Sequence, residues 1–126
     1  MSLIKGLQHV HLKCLPEQID MVQNFYENVI GMKLLSKHED CAILDTGCGI
    51  FEIFCDADRL LGQGDFRHVA FETDDTAAAV KACEEYGCKV KEYPVDVMFG
   101  LAEPTPARIA FVYGPIGEEI EFFQIR

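Results

Sequence analysis

The sequence is poor in basic residues: 11 lysines and arginines stand against 21 aspartates and glutamates, for a formal net charge of −10. That balance argues against nucleic acid or an anionic membrane as a partner, because both need a basic face. A small anionic substrate stays open, since the field inside a pocket can differ from the total. No apolar run reaches the roughly 18 residues that would suggest a membrane span. Residues 1–6 lack the basic start, apolar stretch and small-residue cleavage site of a secretory leader. There is no C-x-x-C pair among Cys14, Cys41, Cys48, Cys55, Cys83 and Cys88, so neither a zinc knuckle nor a dithiol redox motif is signalled. The expectation is a soluble, cytoplasmic protein whose thiols are mostly buried and reduced. At 126 residues it fits one domain with a core of its own.

What is present is a pattern used twice. His9-Val10-His11-Leu12-Lys13-Cys14 alternates polar and apolar at period two, as a strand with one covered face does. Residues 16–30 read as a helix: Pro16 suits a first turn, apolar residues recur at helical spacing, and Gly31 stops it. Strand-like runs follow at 32–36, 41–45 and 50–55, the last two joined by Thr46-Gly47-Cys48-Gly49.

The second half repeats the order. A strand at 68–73 precedes a helix capped by Asp74 or Asp75 and ending near Tyr86, with Gly87 as its stop. Strands are expected at 88–93, 108–113 and 118–125, the last pair turning around Gly114-Pro115-Ile116-Gly117. Residues 94–107 read as irregular, and a loop over 98–106 is a candidate to close over a site. The fold class is therefore α+β, a single domain over 1–126 made of two β-α-β-β-β modules, 1–56 and 66–126. A polar linker lies between them.

Four polar residues fall at matched places. His9 and His68 each open the first strand of a module, and Glu52 and Glu121 each sit in the last. From His to Glu is 43 residues in the first module and 53 in the second. By alternation His9, His11 and Lys13 share one face of their strand, and both glutamates oppose the face that meets the helices. A lone His or Glu in a strand is ordinarily a hydrogen-bonded or solvent-facing residue. Four in matched positions ask for another explanation. Two carboxylates in one apolar cleft would raise each other's pKa and suffer desolvation, and a divalent cation relieves both. Two imidazoles and two carboxylates leave open positions on a six-coordinate ion, as a catalytic site requires.

These residues resemble a known family. Leu7-Gln8-His9-Val10, the run from Phe25-Tyr26 to Gly31-Met32, and His68-Val69-Ala70-Phe71 are similar to segments of glyoxalase-type proteins of the vicinal oxygen chelate superfamily. So are Ile109-Ala110-Phe111-Val112 and the stretch from Gly114-Pro115 to Glu121-Phe122. The resemblance spans essentially the whole chain. It implies a cup-shaped, half-open mixed barrel around one divalent metal ion per site (Ni, Zn, Co, Mn or Fe), held by His9, Glu52, His68 and Glu121. It also implies a homodimer and a small-molecule substrate. Ring-cleaving dioxygenases and thiol-transferring resistance enzymes of the superfamily typically use two His and one Glu. A fourth ligand at Glu52 therefore points toward lactoylglutathione lyase and acyl-CoA epimerases. Both move a proton at a carbon next to a carbonyl through an enediolate, with Glu121 the expected base and Glu52 able to serve on the opposite face. The alternative is a small-molecule binding or resistance protein of the same fold; a dioxygenase ranks third.

Other residues are expected near the substrate. His11 shares a face with His9, and Phe54 and Phe123 lie two positions beyond the glutamates. Arg108, read as facing the cleft together with Ala110, could hold a substrate carboxylate.

Overall fold

The structure is a computed structural model that describes residues 7–62, 64, 67–100 and 103–126. Its backbone divides into two units, Met1–Leu61 and Gly62–Arg126, each built around a four-stranded mixed sheet. Neither sheet closes on itself. The expected linker falls partly outside the described residues, at 63, 65 and 66.

In the first unit the strands are β1 (His9–Lys13), β2 (Lys33–Lys37), β3 (Cys41–Asp45) and β4 (Ile50–Phe54), in the order β1-β4-β3-β2. β1 runs parallel to β4, and the β4–β3 and β3–β2 pairs are antiparallel. The expected helix at 16–30 is three pieces: a 3₁₀ turn at Pro16–Gln18, α1 at Ile19–Asn24, and a π turn at Phe25–Val29. The widening ends where the amide of Ile30 bonds to the carbonyl of Phe25 at 3.2 Å. It accompanies the burial of two adjacent aromatic rings. Phe25 and Tyr26 are both fully buried, and Tyr26 packs 4.6 Å from Phe51 on β4. Side chains of this size contribute about 1.5–3 kcal/mol each when buried. Ala42, Leu44, Phe51 and Ile53 complete this core, so one face of the sheet is covered by the helix.

The second unit has β5 (His68–Glu72), α2 (Thr76–Tyr86), β6 (Val90–Phe99), β7 (Thr105–Tyr113) and β8 (Glu119–Ile125), with sheet order β5-β8-β7-β6. β5 is parallel to β8, as β1 is to β4. Asp75, not Asp74, caps α2, its side chain accepting from the amide of Ala78 at 3.0 Å. Gly87 ends the helix with φ +114°, a conformation that side chains disfavour. The amide and hydroxyl of Thr76 both donate to Gln124 at 3.1 Å, tying the start of α2 to β8. Val80 and Cys83 of the helix cover Ala110, Val112, Ile120 and Phe122.

The stretch expected to be irregular, 94–107, is largely a hairpin. β6 continues through Pro94 to Phe99 and β7 begins at Thr105. Pro94 is tolerated because β6 is an edge strand and its register against β7 shifts between Glu92 and Val95. Of the proposed loop over the site, 98–99 and 105–106 lie in these strands, and 101–102 fall outside the described residues. Among the described residues no helix is long and apolar enough to cross a membrane.

Candidate functional site

Each parallel strand pair carries a His–Glu pair on the face away from its helix. In β1–β4 the register sets His11 directly across from Glu52 and His9 across from Ile50. The imidazole Nε2 of His9 is 3.6 Å from Glu52 Oε1, and Nδ1 of His11 is 3.0 Å from the same oxygen. Gln8 Oε1 lies 2.5 Å from the other ring nitrogen of His9. With that amide oxygen accepting, Nδ1 carries the proton and Nε2 keeps its lone pair, the form in which histidine ligates a metal. His11 also stacks on Phe54, ring centroids 4.6 Å apart and planes 19° from parallel.

In β5–β8 the register partner of Glu121 is Ala70, while His68 stands across from Glu119. His68 Nε2 is nonetheless 3.0 Å from Glu121 Oε1. The edge of one ring meets the face of the other where His68 packs against Phe111, centroids 5.3 Å apart. Glu121 is 9% exposed, and burial pushes its carboxyl above the ordinary value while His68 draws it back. Beside this pair Glu119 accepts from both Lys91 and Arg67, and Lys91 lies over the Phe111 ring at 5.7 Å. The bonded Lys91 ammonium, helped by Arg67, holds the Glu119 carboxyl below its usual range against the opposing effect of burial. Sequence reading passed over this ionic group. Glu119 shares the parity of Glu121, which is the signal that could have found it.

The expected residues separate accordingly. His9, His11, Glu52 and Phe54 gather on one sheet face of the first unit, and His68 and Glu121 on one face of the second. Phe123 shares the Glu121 face and packs edge-on to Phe99 at 5.0 Å. Arg108 does not join them. It pairs with Gln124, and Ala110 with Phe122, on the face covered by α2. Its guanidinium bonds to Asp96 at 2.8 and 3.3 Å, which differs from the expected cleft-facing position. A shallow depression of about 630 Å³ borders that ion pair, lined by Asp96, Val97, Met98, Pro106, Ala107 and Arg126, and it holds none of the candidate residues.

Among the described residues no three His, Cys, Asp or Glu side chains are drawn together as a metal cluster. Each His–Glu pair taken alone suits a divalent transition ion by its donors, an imidazole nitrogen and a carboxylate oxygen. Their separations, 3.0 and 3.6 Å, are those of two ligands each about 2.0–2.2 Å from one centre.

Comparison with known proteins agrees with the repeated topology. The model of the Glyoxalase/Bleomycin resistance protein/Dioxygenase superfamily matches residues 8–122. A Bacillus subtilis (strain 168) protein described only as uncharacterized, YwbC, is 29% identical over 124 residues, covering 90% of this chain and 94% of that protein. The glyoxalase/bleomycin resistance protein/dioxygenase from Alicyclobacillus acidocaldarius has the same fold, with a TM-score of 0.69 at 18% identity over 96% of this chain and 92% of that one. The lactoylglutathione lyase from Agrobacterium tumefaciens superposes with a TM-score of 0.66 at 15% identity, over 96% of this chain and 94% of that one. The chain therefore belongs to the glyoxalase, bleomycin resistance protein and dioxygenase superfamily, the vicinal oxygen chelate proteins.

Proposed function

We propose that the protein is a metal-dependent lyase or isomerase of glyoxalase type that moves a proton at a carbon next to a carbonyl. The observation that carries this reading is the repeated pairing, His9 with Glu52 and His68 with Glu121, at equivalent places in two modules. His9, Glu52, His68 and Glu121 would hold one divalent ion of the nickel, zinc, cobalt, manganese or iron class. Such an ion supplies Lewis-acid stabilisation of negative charge at a substrate oxygen, worth several kcal/mol in order of magnitude.

The chain's own residues supply the rest. Glu121 is the base: its carboxylate takes the proton from one carbon and returns it to the neighbouring one. Glu52 offers a second carboxylate for the opposite face of the substrate. Phe54 and Phe123, two positions beyond the glutamates on the same sheet faces, give the substrate apolar walls. The same reading takes the protein as a cytoplasmic homodimer acting on a glutathione hemithioacetal or another small carbonyl compound.

Metal analysis of the purified protein, followed by assay with the hemithioacetal of methylglyoxal and glutathione, tests it. The expected result is one divalent ion per site and isomerisation of the hemithioacetal. A folded wild-type protein that takes up no divalent metal overturns the reading and leaves a small-molecule binding protein in its place.

A further inference from the structure

The two modules differ at one position beside the glutamates. Across the parallel strand pair Glu52 faces His11, whereas the equivalent partner of Glu121 is Ala70. We infer that His11 is a positioning residue: its Nδ1–H holds the Glu52 carboxylate in a fixed plane beside His9. Glu52 thereby has a second imidazole on its carboxylate oxygen, which Glu121, across from Ala70, lacks. This rests on the metal reading above, because a held carboxylate matters only if it has a ligand to present.

Three features carry the assignment. The contact is short, 3.0 Å between His11 Nδ1 and Glu52 Oε1. The ring that makes it, on an exposed side chain, lies flat on Phe54 at 4.6 Å and 19°. Phe54 follows Glu52 by two residues on the same face of β4, so strand register delivers both of the ring's partners. The corresponding phenylalanine of the other module, Phe123, packs against Phe99. A carboxylate ordered by a neighbouring N–H loses less rotational freedom on binding an ion than a free one does. Residues that orient a ligand in this way typically contribute 10–100-fold in metal affinity.

The choice of nitrogen makes the test specific. The amide nitrogen of asparagine sits where Nδ1 of histidine does, and that of glutamine where Nε2 does. Co²⁺ titrations of the wild type, His11→Ala, His11→Asn and His11→Gln, followed by visible absorption, read the effect directly. His11→Ala is expected to weaken Co²⁺ binding about 10–100-fold, His11→Asn to recover most of the loss, and His11→Gln to recover little. The thermal midpoint of the metal-free protein should be the same in all four. Equal Co²⁺ affinity in wild type and His11→Ala, or rescue by Gln as complete as by Asn, overturns the positioning role and leaves the metal reading standing. A wild type that takes up no Co²⁺ overturns both. Proton–nitrogen correlation NMR of the metal-free wild type gives a check that needs no variant to fold. A proton on Nε2 of His11 rather than on Nδ1 overturns the assignment.

Discussion

Glu121 stands 3.0 Å from His68 although its partner in the β5–β8 register is Ala70, a residue with no polar group to offer. Burial pushes the Glu121 carboxyl up, and the imidazole only partly offsets it. Glu52, with two imidazoles near one of its oxygens, sits in a different setting. The two carboxylates of the duplicated modules therefore have different surroundings.

On the proposed function, replacing Glu121 by Gln should lower any isomerase turnover by ~10²–10⁴-fold, the usual contribution of a general base. Metal content should fall much less, since the amide oxygen can still ligate. Steady-state kinetics and metal analysis on the same preparation separate the two effects. Turnover at the wild-type level would move the base to Glu52.

Closed twofold dimers are the commonest oligomers, and a site shared between chains makes a distinctive prediction. His9→Ala and Glu121→Ala chains, each inactive alone, are refolded together. If His9 and Glu52 of one chain work with His68 and Glu121 of the other, half the dimers are mixed and half their sites are intact. About a quarter of wild-type activity should then return under random pairing. A mixture that stays inactive, with exchange of chains demonstrated, would refute the shared site and leave the ligand assignment untouched.

The Asp96–Arg108 pair lies apart from this chemistry, so Arg108→Ala should leave KM for the substrate unchanged. Its signature is in stability. The bonded guanidinium lowers the folded-state pKa of Asp96 below the ordinary value of 3.8. The pair's contribution is therefore complete above that value and is lost as pH falls below it toward the folded-state one. Thermal midpoints of wild type and Asp96→Asn should differ slightly at neutral pH and converge in acid below 3.8. A gap that widened on acidification would contradict the ion-pair account.

Cysteine reactivity follows burial. Cys83 is fully buried on the inner side of α2 and its thiol is pushed up to about 12, first by burial and then by the neighbouring Cys88 thiol, whereas Cys48 is exposed in the β3–β4 turn. A thiol reagent at neutral pH should modify Cys48 in the native protein and reach Cys83 only on unfolding. Peptide mapping by mass spectrometry reads this, and equally fast labelling at both positions would contradict the packing described.

Period-two alternation and the repeated order of elements were enough to read the eight strands, the two helical segments and the faces of His9, His11, Glu52, His68 and Glu121 from the sequence. In β1, β4, β5 and β8 the His, Lys and Glu residues fall on one parity only, so the pattern itself says which side is covered. The strand carrying Arg108 has no such contrast. Ile109, Ala110, Phe111 and Val112 are apolar on both parities, so composition does not say whether Arg108 faces the helix or the glutamates. Pairing decides it: Ala110 lies across from Phe122 and Phe111 across from Glu121, which puts Arg108 on the α2 side. The length of β6 escaped for a related reason, since Pro94 reads as a breaker until the strand is known to lie at an edge. Side-chain partners depended most on tertiary structure. Residue types and spacing singled out His11 and Glu52, 41 positions apart, but only the parallel register of β1 and β4 brings them to 3.0 Å. Alternation is a property of one strand, whereas register and contact belong to two, and folding alone joins them.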